Sequence, residues 1–188
     1  SAMQAWPLQY VEPVFRPPSE ANSLILQMTV GCSWNRCTYC GMYRDKEFRV
    51  RPIDEFLKEI RMMADRAPKF QRVFLADGDA LAAPQNVLEE VLAEIKAVMP
   101  WVLRVGIYAD SRSILKKGVD GLSKLANLGL GIVYFGAESG DAATLKQVRK
   151  GATVERQIEA CEVVRRARLK LSVMVLLGLA GTEGSQRH

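Results

Sequence analysis

Residues 31 to 41 read Gly-Cys-Ser-Trp-Asn-Arg-Cys-Thr-Tyr-Cys-Gly, and they hold three of the chain's four cysteines, Cys32, Cys37 and Cys40. Thiolates are metal ligands, and their number and spacing limit which metal they suit. A structural zinc site takes four ligands, usually two Cys-x-x-Cys knuckles or Cys with His. The single histidine is the last residue, His188, and Cys161 lies far along the chain in a helical pattern, so zinc lacks a fourth ligand near the loop. A thioredoxin-like pair of Cys37 and Cys40 leaves Cys32 without a role. A [4Fe–4S] cluster is held by thiolates, normally one per iron. Three thiolates leave one iron open to an outside ligand, so the incomplete set is itself a functional statement.

The elements that must position this loop follow from the apolar pattern. Pro7, Pro13, Pro17 and Pro18 prevent a regular helix or central strand at the start, so residues 1–22 read as an extended arm, with Ser1-Ala2-Met3 as a tag remnant before a start methionine. Residues 23–188 read as one domain. Leu24 to Val30 is an apolar run suited to a buried strand, and the cysteine loop follows it directly. A helix is predicted from Ile53 to Ala67, with Ile53, Phe56, Leu57 and Ile60 on one face. Strands are predicted at 73–76, 103–108, 131–137 and 171–177, and helices at 85–99, 111–128, 141–149 and 153–168, with Pro100 a stop and Thr153 an N-cap.

Strict alternation with doubly apolar strands predicts an α/β fold with a parallel sheet and right-handed crossovers. In such sheets functional loops gather at the carboxyl ends of the strands. The cysteine loop, Asp77-Gly78-Asp79, Tyr108-Ala109-Asp110, Glu138-Ser139-Gly140 and Gly178-Leu179-Ala180-Gly181 all stand directly after a strand, so five loops converge on one edge.

Composition excludes little else. Of the 188 residues, 48% are hydrophobic and 25% charged, as in a soluble globular protein. A formal charge of +5 is scattered, which permits contact with a polyanion, nucleic acid included, without predicting one. No apolar window is long enough for a membrane span, no secretory signal opens the chain, and clustered cysteines do not suit a disulfide framework; a reducing cytoplasm is the expected compartment.

These motifs resemble the radical S-adenosylmethionine (SAM) enzymes. In that superfamily a three-cysteine loop follows the first strand, with an aromatic residue before the third cysteine, as in Cys37-Thr38-Tyr39-Cys40. Asp77-Gly78-Asp79 stands where a Gly-Gly-Glu-like segment cradles the methionine amino group, and Gly136-Ala137-Glu138-Ser139-Gly140 matches Gly-x-Glu-Ser-Gly. Lys150-Gly151-Ala152-Thr153 and Leu177-Gly178-Leu179-Ala180-Gly181 look like segments of the oxygen-independent coproporphyrinogen oxidases, tRNA methylthiotransferases and elongator-type acetyltransferases. The first cysteine gap is four residues, one more than the commonest spacing, and a loop absorbs one residue at little entropic cost.

The resemblance implies a parallel partial (β/α) barrel with about five of six strands present, hence a C-terminally truncated core whose unfinished edge favours dimerisation. It implies that Cys32, Cys37 and Cys40 ligate a [4Fe–4S] cluster and that SAM chelates the fourth iron. A one-electron donor such as flavodoxin or ferredoxin would reduce the cluster, and a 5′-deoxyadenosyl radical would abstract hydrogen from an unidentified substrate. Tyr39 would lie near the adenine, the Gly178 backbone at the adenine edge, and Glu138 at the ribose or amino group. Asp77, Gly78, Asp79, Tyr108 and Ser139 complete the candidate cofactor-binding set. A non-catalytic metal module, with structural zinc or a structural cluster, is the alternative. On the blander reading, Asp79 and Asp110 are turn formers or N-caps, and Cys161 is a small core residue.

Overall fold

The computed structural model describes residues 17–30, 49–76, 78–137 and 154–175. In chain order the strands are Leu24–Gln27 (β1), Thr29–Val30 (β2), Arg49–Val50 (β3), Arg72–Ala76 (β4), Arg104–Ala109 (β5), Leu130–Ala137 (β6) and Lys170–Val175 (β7). Helices Ile53–Arg66 (α1), Gln85–Val98 (α2), Ser111–Asn127 (α3) and Val154–Arg166 (α4) alternate with them. Five strands form one parallel sheet in the order β1-β4-β5-β6-β7, and β2 pairs antiparallel with β3.

Each strand of the large sheet lies beside the next one along the chain. A right-handed crossover repeated in one direction puts every helix on the same face, as in a partial barrel and unlike a doubly wound sheet. The burial agrees. Leu26, Leu75, Ile107 and Val133 share one large core with α1 residues Phe56 and Ile60, α2 residues Leu88 and Val91, α3 residues Leu122 and Leu125, and α4 residues Ala160 and Val164. Strand residues of opposite parity, Ile25, Phe74, Ala76, Ile132 and Tyr134, form a separate cluster on the inner face with Tyr108 packed against it.

The end of the N-terminal arm reaches that inner face. Pro18–Glu20 forms a 3-10 turn, and Glu20 is fully buried. Ser19 Oγ and the Tyr134 hydroxyl share a 2.9 Å hydrogen bond, while Arg104 Nη2 lies 3.6 Å from Glu20 Oε2. Burial pushes the Tyr134 phenol up from its ordinary value, and the Ser19 bond partly counters this. Gly106 makes the approach possible: a Cβ there would stand 3.0 Å from Glu20 Oε1 and 3.1 Å from both Ile132 Cγ2 and Tyr134 Cε2. Gly106→Ala is therefore expected to destabilise the fold by about 1–3 kcal/mol, the usual cost of overpacking, as a lower urea midpoint at unchanged m-value.

The sequence reading holds for the strands and helices of the sheet within a residue or two, with three corrections. The single strand expected from Leu24 to Val30 is broken at Met28, whose N–H donates to Ala76 O and whose carbonyl accepts from Arg51 N. Beyond it the chain leaves the large sheet and pairs with 49–50. Leu103, placed in the third predicted strand, is 76% exposed; its N–H donates to Gln71 O ahead of the first ladder pair, Arg72 with Arg104. The helix expected at 111–128 is broken inside α3, where Gly118 has φ 69 and ψ 179. The helix expected at 141–149, the Thr153 cap and residues 176–177 of the last strand lie outside the described residues.

Candidate functional site

The carboxyl ends of β1, β4, β5, β6 and β7 lie along one edge of the parallel sheet. The cysteine loop departs from β2 and returns into β3, so the two-residue antiparallel pair Thr29–Val50 and Val30–Arg49 brings its ends together. Arg51 clamps this junction. Its N–H donates to Met28 O at 3.0 Å, its Nη1 donates to Gln27 O at 3.0 Å, and the guanidinium forms a two-pronged ion pair with Glu59 of α1. Both side chains are largely buried, and the Arg51 guanidinium also lies 5.7 Å from the Phe56 ring centroid. A planar fork that satisfies a carbonyl and a carboxylate together is a task for arginine. Arg51→Met leaves the Glu59 carboxylate without its partner and should lower stability by about 2 kcal/mol, below the full cost of a fully buried pair. Denaturant titration measures that loss, and iron retained after reconstitution reports whether the loop loosens with it.

Of the predicted cofactor residues, Gly78, Asp79 and Tyr108 are described. Gly78 has φ 46 and lies two residues past the end of β4. The Asp79 carboxylate is buried and turned toward the start of α3, where its Oδ1 accepts from Ser113 Oγ at 2.8 Å and from Asp110 N at 3.3 Å. Asp110 is the N-cap of α3, accepting from Ser113 N at 2.8 Å, and Arg112 lies 3.6 Å from its other oxygen. The cap reading of Asp110 is thus correct. Asp79 does something the sequence did not suggest: it ties the loop after β4 to the loop after β5.

Tyr108 is half-buried at the carboxyl end of β5 and points to the inner face. Its ring meets Phe74 edge-on at 4.9 Å and 88°, and lies 6.2 Å from Tyr134. Such edge-to-face packing holds an aromatic ring in one orientation, so Tyr108 is a fixed wall rather than a mobile side chain. Cys161 packs against the core from α4, and burial holds its thiol above the ordinary value. That favours the protonated thiol over the thiolate a metal needs. Cys32, Cys37, Cys40, Tyr39, Asp77, Glu138, Ser139 and Gly178 lie outside the described residues. Among the described residues no group of three His, Cys, Asp or Glu side chains could hold a metal ion.

Sequence reasoning passed over Arg51, Ser113 and the α3 cations. Arg112 and Lys116 stand four apart on the first part of α3, and Lys117 and Lys124 lie on either side of the break at Gly118.

The radical SAM superfamily model matches residues 26–184, from the second half of β1 through the predicted Gly178–Gly181 loop. The chain belongs to the radical SAM superfamily. Members of this superfamily bind a [4Fe–4S] cluster and SAM. Among curated proteins the radical SAM chain is 21% identical over 154 residues to a hopanoid C-3 methylase of Methylococcus capsulatus, covering 80% of this chain and 28% of the methylase. Among solved structures it is similar to the cobalamin-dependent SAM radical enzyme OxsB with aqua-cobalamin bound, at TM-score 0.63 and 19% identity over 81% of this chain and 23% of that one. It is also similar to the coproporphyrinogen III oxidase HemN of Escherichia coli, at TM-score 0.61 and 14% identity over 81% of this chain and 36% of that one. The chain spans about a quarter of the length of the methylase and of OxsB. At these identities the structural likeness shows the fold, which is the radical SAM arrangement of parallel strands with helices outside. Among the described residues no helix is long and apolar enough to cross a membrane.

Proposed function

We propose that this chain is the cofactor-binding core of a radical SAM enzyme, in which Cys32, Cys37 and Cys40 hold a [4Fe–4S] cluster and the unligated iron takes SAM. The observation that carries this reading is the closed base of the cysteine loop. Arg51 and the β2–β3 pair hold both ends of residues 31–48 at the carboxyl edge of β1, inside the span of the family match. The donor set supports it too: three thiolates suit iron with one open position better than they suit zinc. Cys32, Cys37 and Cys40 would hold the cluster, which would supply the electron for reductive cleavage of the sulfonium C–S bond of SAM.

The chain's own residues orient and shield. The Arg51–Glu59 pair keeps the loop against α1. Asp79 draws the loop after β4 toward the α3 N-terminus, and on this reading Asp77 and Gly78 would contribute to the SAM site. Tyr108, held by Phe74 and Tyr134, walls the inner face at the same edge and keeps water from it. Tyr39 at the adenine, Gly178 at the adenine edge, and Glu138 with Ser139 at the ribose complete the proposed set. An external one-electron donor of the flavodoxin or ferredoxin type and a cytoplasmic location belong to the same proposal. Self-association belongs to it as well, with the half-exposed Val173 of the edge strand β7 as the contact.

Methyl transfer is the second reading, favoured by the hopanoid C-3 methylase match over most of this chain. One assay separates the two. Anaerobically reconstituted protein with dithionite and SAM should release 5′-deoxyadenosine in a cluster-dependent way. S-adenosylhomocysteine accumulating alongside it supports methyl transfer, and absence of both products from cluster-replete protein contradicts the proposal.

A further inference from the structure

A second concave site lies on the helical side of the sheet, away from the inner face. A groove of about 690 Å³ runs between the connection from β4 to α2 and the outer surface of α3. Asp79, Pro84 and Gln85 form one wall, and Arg112, Lys116, Lys117 and Lys124 line the other. The lining residues themselves hold four cations and one carboxylate, a net charge of +3, and Arg112 also lies 3.6 Å from the Asp110 carboxylate beside the groove. The lining carboxylate, Asp79, is buried and already accepts from Ser113 and Asp110.

The positive charge is built in as well as displayed. Lys117 donates from Nζ to Ala83 O at 2.7 Å, which fixes its ammonium across the groove. Burial is the main cause that pushes its pKa below the ordinary lysine value; Asp79 raises it, and the neighbouring Lys116 lowers it further. Two lysines that repel each other in a concavity are a cost to the empty protein, and a bound anion removes that cost. Gln85 Nε2 donates to Gly121 O at 3.0 Å, which ties the start of α2 to α3 just past the break at Gly118. The groove's volume falls in the range of about 300–1,000 Å³ typical of small-molecule sites.

We propose that this groove binds a multiply charged, phosphate-bearing small molecule of up to nucleotide size. Its charge matches a diphosphate, and arginine and lysine together supply the forked and single donors that phosphate oxygens accept. A concavity of this size with its cations on one wall suits a compact ligand better than the extended backbone of a nucleic acid, which tracks a continuous stripe. The lining comes from α3, the start of α2 and the segment after β4, and it shares Asp79 with the junction behind the proposed SAM site, so the test relies on exposed α3 lysines that the SAM reading does not use.

Calorimetric titration of the protein with sodium pyrophosphate tests it. The expected result is saturable binding of one pyrophosphate per chain, weakened at least tenfold in Lys116→Gln/Lys124→Gln. Both positions are exposed, so the variant folds. The matched control Lys58→Gln/Lys96→Gln, exposed lysines of α1 and α2, should stay within twofold of the parent. No saturable heat at millimolar pyrophosphate overturns the proposal, as does equal weakening in the control. Tighter binding of a 20-nucleotide RNA with the same dependence on Lys116 and Lys124 also overturns it, in favour of a nucleic-acid face.

Discussion

Asp79→Ala is expected to lower the free energy of unfolding by about 3 kcal/mol, because hydrogen bonds to a charged group are worth about 1.5–3 kcal/mol each. Two donors lose their acceptor: Ser113 Oγ at 2.8 Å and Asp110 N at 3.3 Å, both on buried residues. The Ser113 hydroxyl keeps Asp110 O at 3.1 Å, so the damage centres on the junction between the loop after β4 and the start of α3. Asp79→Asn keeps one carbonyl acceptor and should lose about half as much. Urea titration at pH 7 reads both. The pair also separates a tie from a ligand. If Asp79 acts on SAM through this junction, SAM affinity should fall in proportion to lost stability. If its carboxylate touched SAM directly, Asp79→Asn would lose most of the affinity while keeping the fold.

The second large effect concerns the cysteines. Cys37→Ala, anaerobically reconstituted, is expected to fall from about four irons per chain to fewer than one, since two thiolates cannot hold a cubane. Cys161→Ala serves as the reference. Its thiol packs against the helical core and is held protonated by burial, so iron content should match the parent. Equal loss of iron in both variants would bring Cys161 into the ligand set and revive the four-thiolate zinc reading. The assay reads metal by mass spectrometry, which distinguishes iron from zinc in the same sample.

How much of this was legible in the sequence depends on how local each cause was. Strands β4, β5, β6 and β7 announce themselves as apolar runs ended by glycine or aspartate, and the family motifs at their carboxyl ends follow from order alone. The break at Met28 did not announce itself. Leu24 to Val30 reads as one mostly apolar run, and the chain turns there because Met28 O accepts from Arg51, beyond the cysteine loop. Periodicity carries no trace of such a partner. Asp110 was legible as a cap because its partner, Ser113, is three residues away. Asp79 was not, because its partners are on the next βα unit. Leu103 misled for the opposite reason: an apolar residue next to a strand looks like part of it, and here it faces solvent. Glu20 in the proline-rich arm gave no sign that it would be buried against Gly106, since the glycine that admits it lies in another element.

The most direct test of the central claim is electron paramagnetic resonance of the dithionite-reduced, iron-replete protein with and without SAM. An iron left open by three thiolates and filled by SAM predicts a reduced [4Fe–4S] signal whose g values and line shape change on adding SAM. A reduced-cluster signal unaltered by SAM, or stoichiometric zinc in place of iron, would contradict the assignment of Cys32, Cys37 and Cys40 as a radical SAM site.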